Sequence, residues 1–371
     1  MSAGGNLIAQ RLVVCLGPGG VGKTTIAATL ALRAALSGRS VDVLTIDPAP
    51  RLLDVLGVQL SSQIPQRVAL SGLHPRRGGR LRALRLDPKG VFDRLIERYA
   101  PSAVTRDTIL KNRIYRGLSG ALAGVADYMA AEELLDLRRD RSSDMIVLDT
   151  PPASEAIDFL DAPRRMLELL SSRTLVLLGA SHEIAGGFRI FDFAARAVLA
   201  AFDRLSGLRL LPDVRAFVQS FEGMYAGFAD RAAQVQALIR EPTTSLVLVT
   251  GADPQHVEQT RQFASALMGL GLRPGALIVN RVTGPLPELD EIRRAKLPPP
   301  LKRKLERNLA DFGALKAREA AWLGPLRKLS DGVTMLTAAD LGDQPGNLND
   351  LLRIAHSLKS AASGPAGVPI T

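Results

Sequence analysis

The chain has 371 residues, 46% of them hydrophobic and 23% charged, and a formal net charge of +10. That length supports a large core, and the composition is that of an ordinary globular chain. No apolar run is long enough to span a bilayer, and the single cysteine, Cys15, excludes an internal disulfide and a paired-cysteine metal clip.

The amino terminus has no basic region followed by an apolar one, so no secretion signal is read and a cytoplasmic location is expected. The first strand is Leu12 to Leu16, apolar throughout. It contains Cys15, which reads as core filler rather than a reactive thiol. An Ala/Leu-rich helix follows over Ile26 to Ser37. Further short β-rich runs lie at Val41–Ile46, Met145–Leu148, Thr174–Leu178, Leu246–Val249 and Ala276–Val279. Each is apolar on both faces, as strands covered by helices on two sides must be. Strands alternating with helices predict an α/β fold: a doubly wound, mostly parallel sheet with nucleotide bound at the carboxyl ends of its strands.

Two stretches break the alternation. Residues from about 91 to 140 and from about 183 to 240 read as helical without strands and are expected to form an inserted helical subdomain. In the second, Phe191, Ala195, Val198, Phe202 and Leu205 share one helical face. Packing against neighbouring helices and a groove for a partner helix both fit that stripe. Arg76, Arg77, Arg80, Arg82 and Arg85 carry no interleaved aromatic residues, so they read as a solvated loop and no nucleic-acid partner is expected. Pro285 to Pro300 reads as a mobile connection. Helices are expected near Leu301–Trp322 and Asn347–Ser360, and a disordered tail from 361 to 371. The whole reads as one ATPase domain over 8–360.

The chemistry is concentrated at Gly17-Pro18-Gly19-Gly20-Val21-Gly22-Lys23-Thr24-Thr25, between the first strand and the first helix. Glycines let the backbone wrap phosphate oxygens, and the free N–H groups with the helix N-terminus supply positive potential. Lys23 is placed to reach the β- and γ-phosphates and the Thr24 hydroxyl to ligate Mg²⁺. Two predicted strands end in aspartate at the same edge of the sheet. Asp149 follows four apolar residues and reads as the carboxylate that holds Mg²⁺, directly or through water. Asp47 can orient an attacking water or cap a helix.

These motifs resemble the ArsA-type P-loop ATPases, bacterial members of the deviant Walker A group that includes the MinD/ParA-like proteins. The resemblance rests on Gly17–Thr25, Asp47-Pro48-Ala49, Asp149-Thr150-Pro151-Pro152 and Ile278-Val279-Asn280-Arg281 in order, and it covers roughly residues 10 to 360. It implies that Asp47 belongs to a first switch and positions the hydrolytic water. It implies that the segment from Asp149 is a second switch, coupling phosphate loss to movement of the helical subdomain. It implies further that Asn280 reads adenine; a turn residue at a strand end is the other reading of that asparagine. Members of this family work as ATP-closed homodimers and energise arsenite pumps or deliver tail-anchored membrane proteins. The resemblance therefore implies ATP and Mg²⁺, a nucleotide-dependent homodimer or pairing with a related ATPase, and a membrane-protein partner.

The chain also departs from that pattern. The family's intermonomer lysine is replaced by Pro18, which has neither charge nor N–H. Cross-subunit activation is then absent or supplied by another residue such as Arg51. The family's arsenite- and zinc-binding cysteines are absent too. The leading expectation is an ATP-hydrolysing switch. The alternative is an ATP-binding regulator or scaffold with negligible turnover.

Overall fold

The computed structural model describes residues 7–59, 64–113, 115, 123–171, 220, 223–329 and 332–360. Its strands are β1 (Leu12–Leu16), β2 (Ser40–Thr45), β3 (Gln66–Arg67), β4 (Arg80–Arg85), β5 (Met145–Asp149), β6 (Thr244–Thr250), β7 (Ala276–Val282), β8 (Thr334–Ala339) and β9 (Lys359–Ser360). They form one sheet in the order β3-β4-β2-β5-β1-β6-β7-β8-β9. The neighbours from β4 to β8 pair in parallel, and only the two short edge strands, β3 and β9, run antiparallel. The doubly wound, mostly parallel α/β architecture read from the sequence is thus the one observed. It follows from strands such as β1, β2 and β5, whose residues are all buried and so must be covered on both faces.

The chain divides into two compact units. The first comprises Met1–Arg85, Asp140–Ile157 and Pro242–Thr371 and contains the sheet. Its central helix is α1 (Lys23–Leu36). Ile26, Leu30, Leu32 and a series of alanines are buried there, and the alanines let the helix lie close to β1, β2 and β5. The same unit holds α2 (Arg51–Val55), and its other helices are numbered below in chain order. The second unit comprises Leu86–Arg139 and Asp158–Glu241, and its described residues are helical. It contains α3 (Pro88–Tyr99), α4 (Ala103–Lys111), most of α5 (Ala123–Asp140), α6 (Ala153–Ser171) from Asp158 onward, and α7 (Tyr225–Arg240). Asp87 caps α3 through Gly90 N and Ser102 caps α4 through Thr105 N, so each helix begins where a side chain satisfies a free N–H. Phe92 meets Tyr115 edge-on at 5.1 Å and Phe228 at 6.3 Å, an aromatic core separate from that of the sheet.

Returning to the sheet unit, α8 (Pro254–Gly269), α9 (Leu289–Arg294), α10 (Pro299–Leu329) and α11 (Leu348–Ser357) complete it. Several expectations are corrected here. The arginine-rich segment is not a loop from Arg80 onward. Arg-Leu-Arg-Ala-Leu-Arg alternates long basic and apolar side chains, and it forms β4 beside β2. Pro285–Pro300 is not wholly irregular: α9 lies inside it and α10 begins at Pro299, where proline suits a first turn. The final helix stops at Ser357, and β9 follows it. Strands β3 and β8 were not anticipated. The predicted strand at Thr174–Leu178, the Phe191–Leu205 stripe and the 361–371 tail lie outside the described residues.

Candidate nucleotide site

The loop between β1 and α1 is built on three glycines with positive φ. Gly17 has φ 146°, and a Cβ there would stand 2.1 Å from the Val249 carbonyl oxygen of β6. Gly22 has φ 88°, and a Cβ there would stand 2.3 Å from Asn280 Nδ2. At Gly20, φ is 79° and the space beyond is open. Gly17 is therefore fixed by the close approach of the β6 backbone and Gly22 by that of the Asn280 side chain, and the loop is clamped from β6 and β7. Gly22 caps α1 with no side-chain hydrogen bond, which leaves the first-turn N–H groups of α1 to an anion.

Lys23 is buried and donates from Nζ to the carbonyls of Gly17 at 3.1 Å and Pro18 at 2.9 Å. Burial lowers its pKa, while Asp149 and Asp47 act to raise it. The ammonium thus sits between the loop and two carboxylates.

Asp149 ends β5 directly beside Cys15 of β1 and Thr45 of β2. It is fully buried, and burial lifts its carboxyl to about 6, against the opposing influence of the Thr24 and Thr45 hydroxyls and Lys23. Oδ2 accepts from Thr45 Oγ1 at 3.0 Å, and Oδ1 has no hydrogen-bond partner among the described residues. A buried carboxylate oxygen left open beside a threonine hydroxyl is an all-oxygen donor set, which fits a hard divalent cation such as Mg²⁺. The next residue, Thr150, donates to Cys15 O at 2.7 Å and pins this strand end to β1. Cys15 is fully buried, and burial pushes its thiol far up, as expected of a core residue.

Asp47 is half-buried just past β2. Its Oδ1 accepts from Ala49 N at 2.9 Å, and its own N–H donates to Thr45 Oγ1 at 3.2 Å. The carboxylate is therefore held in a tight Asx turn, and its second oxygen takes no hydrogen bond among the described residues. Thr45, which the sequence reading did not single out, joins the two aspartates. A threonine two positions before Asp47, at the end of the strand that leads to it, was the available signal.

Asn280 lies under the loop and donates from Nδ2 to Val21 O at 2.8 Å. Its position depends on a bulge. Between Val279 and Val282, β7 holds one residue more than β8, and Arg281 there adopts φ 57°. The Arg281 guanidinium reaches Gly20 O at 3.3 Å. Thr25, Asn280 and Arg281 line one wall of a cavity of about 260 Å³. The segment from Ala339 to Pro345, which the sequence reading also passed over, lines the other.

A glycine-clamped loop at the head of a helix, with a buried lysine and two strand-end aspartates, defines a P-loop nucleoside triphosphatase. The sequence profile described as "Anion-transporting ATPase" matches residues 10–296, and the chain belongs to this ArsA ATPase family. It is 22% identical over 312 residues to an ATPase GET3 of Malassezia globosa, covering 82% of this chain and 83% of that one. It is 24% identical to an ATPase get3 of Aspergillus terreus, covering 85% and 88%. To a protein of Streptomyces coelicolor, SCO2128, it is 28% identical, covering 85% and 72%. The chain is accordingly an ATPase that uses ATP. Among the described residues no helix is long and apolar enough to cross a membrane.

Proposed function

We propose that this protein is a cytoplasmic Mg²⁺-dependent ATPase switch, in which hydrolysis at the β1–α1 loop alters the segments that begin at Asp47 and Asp149. The observation that carries this reading is the Thr45 hydroxyl. It donates to Asp149 and accepts from the Asp47 N–H, so the two strand-end segments are joined at one side chain. A shift of either segment is then felt by the other.

In this reading the loop amides and Lys23 bind the triphosphate. The ammonium exchanges the Gly17 and Pro18 carbonyls for phosphate oxygens, and Asp47 orients water in line with the γ-phosphate. Thr24 and Asp149 would hold Mg²⁺, which supplies charge neutralisation at the phosphate oxygens. Adenine enters the cavity beside Asn280. The amide nitrogen is already committed to Val21, so the amide oxygen is the group left to accept from the purine amino group. Gly17, Gly19, Gly20, Val21, Gly22 and Thr25 shape the remaining contacts.

Family membership supports a nucleotide-dependent homodimer, or pairing with a related ATPase, and a membrane-protein partner. The dimer here must work without the lysine that Pro18 replaces.

Lys23→Ala tests the assignment. Mg²⁺-dependent ATP hydrolysis is expected to fall by at least about 100-fold, since a charge aimed at the transferring phosphoryl is lost. The far-ultraviolet circular dichroism should stay unchanged. Hydrolysis that survives the substitution places the active site elsewhere.

A further inference from the structure

The positive charge of this protein is concentrated in one place. Between Leu289 and Arg318 there are nine Lys and Arg residues and four Asp and Glu, a net +5, half of the chain's +10. These residues form α9 and the first two-thirds of α10. Among the described residues, Arg293 pairs with Glu306 at 3.5 Å and Lys302 donates to the Arg293 carbonyl. Arg294, Lys296, Arg303, Lys304, Arg307, Lys316 and Arg318 are all exposed and make no ion pair with a described residue.

The same stretch exposes apolar side chains in a pattern. Leu301, Phe312 and Leu315 are 41%, 51% and 37% exposed. At about 100° per residue they fall within a sector of about 60° on α10. Lys304 borders that sector on one side and Lys316 on the other. Asn308 lies inside it, and Asp311 stands near the Lys304 edge. The strip ends where Glu319, on the same side of the helix, turns inward and accepts from the N–H and hydroxyl of Thr283, both at 2.8 Å. The far end of α10 is thus anchored to the sheet unit, while the described residues leave Leu301, Phe312 and Leu315 exposed.

We propose that this portion of α10, with the cations of α9, is a docking face for an anionic lipid bilayer. The helix lies in the interfacial plane, Leu301, Phe312 and Leu315 enter the headgroup–acyl boundary, and the unpaired cations meet lipid phosphates. Charge complementarity selects a polyanion. The leucines and phenylalanine select one with an apolar layer beneath its charge. A nucleic acid offers no such layer, and Phe312 is the one exposed aromatic ring in the strip, too few for base stacking. The face is a convex helix rather than a groove, which suits a planar, deformable surface better than a partner helix. A structural consequence follows from the shared unit: the ATP site and the docking face would both belong to the body that carries the sheet.

The test is sedimentation of the full-length protein with phosphatidylcholine vesicles, with and without phosphatidylglycerol, at low and high salt. Binding is expected only to vesicles containing phosphatidylglycerol, and it should weaken as salt rises. The triple change Lys304→Glu, Lys316→Glu, Arg318→Glu, which reverses the cations nearest the strip, should lower the partition coefficient by at least about 100-fold. Phe312→Ser with Leu315→Ser, which leaves every charge in place, should lower it by about tenfold or more. Both variants should hydrolyse ATP like the wild type, which reports an intact fold. Three results would overturn the proposal: no binding to anionic vesicles, equal binding by the triple variant, or undiminished binding by the serine variant. Retention on an acidic polypeptide, with no retention by vesicles, would overturn it in favour of a protein partner.

Discussion

At the scale of single residues, the site is organised by backbone conformations that side chains ordinarily avoid. Gly22 must be glycine because its left-handed φ and the Asn280 amide 2.3 Å from a Cβ position exclude anything larger. Arg281 is the opposite case, a long side chain held at φ 57° in a bulge. A left-handed non-glycine residue costs about 1–2 kcal/mol, and glycine in its place returns part of that as unfolded-chain entropy. The guanidinium's contact to Gly20 is long and exposed, and it offsets little. Arg281→Gly is therefore expected to raise the stability of the nucleotide-free protein by about 1 kcal/mol, measured by urea denaturation. The same change removes a cation from the cavity wall, so ATP affinity should fall while stability rises. A parallel fall in both would show that the guanidinium, not the strained backbone, dominates at this position.

At the scale of elements, the strands next to the site could be read from sequence because they are buried on both faces and so mostly apolar. Strands nearer the margin of the sheet could not. β4 alternates arginine with apolar residues, and arginine density disguised the alternation. The structure shows what one of those arginines does. Arg82 grips Asp42 of β2 with two hydrogen bonds of 2.7 Å, and the aspartate is almost wholly buried. Removing the arginine strands a buried carboxylate, which costs about 3–5 kcal/mol for a fully enclosed pair. Arg82 is 29% exposed, so water relieves part of this, and Arg82→Met is expected to cost about 2 kcal/mol. Adding Asp42→Val should recover most of that loss, as thermal melts of the single and double variants will show. If the single variant melts like the wild type, the pair does not hold β4 to β2. The site shows a similar division. The loop and both aspartates are local signals, fixed by spacing to a strand end. Thr45, Arg281 and the Ala339–Pro345 wall come together only when β2, β7 and β8 take their places in the sheet, and no local pattern marks the Ala339–Pro345 wall.

At the scale of the whole molecule, the two units rest on different kinds of core. The sheet unit buries aliphatic side chains from nearly every strand around α1. The helical unit combines aromatic contacts with a buried charge network between α5 and α7. There Arg231, 1% exposed, pairs with the fully buried Glu132 and with Asp136 at 2.8 Å, and Tyr128 donates to Glu132. Burial works against the Arg231 charge, but the two carboxylates more than restore it, so it stays protonated. Such a network contributes less through its net strength than through the cost of breaking it on one side. Arg231→Met leaves Glu132 enclosed without its cation and should destabilise the helical unit by about 3–5 kcal/mol. Glu132→Gln added to Arg231→Met removes the stranded charge while keeping an acceptor for Tyr128, and it should return more than half of the loss. Hydrogen exchange resolves the outcome by location. Amides of α5 and α7 should lose protection in the single variant and regain it in the double, while those of β1, β5 and β6 change less. Loss of protection spread evenly over the sheet strands would mean that the two units unfold as one cooperative body, and that the network stabilises the ATP-binding core as much as the helices it joins.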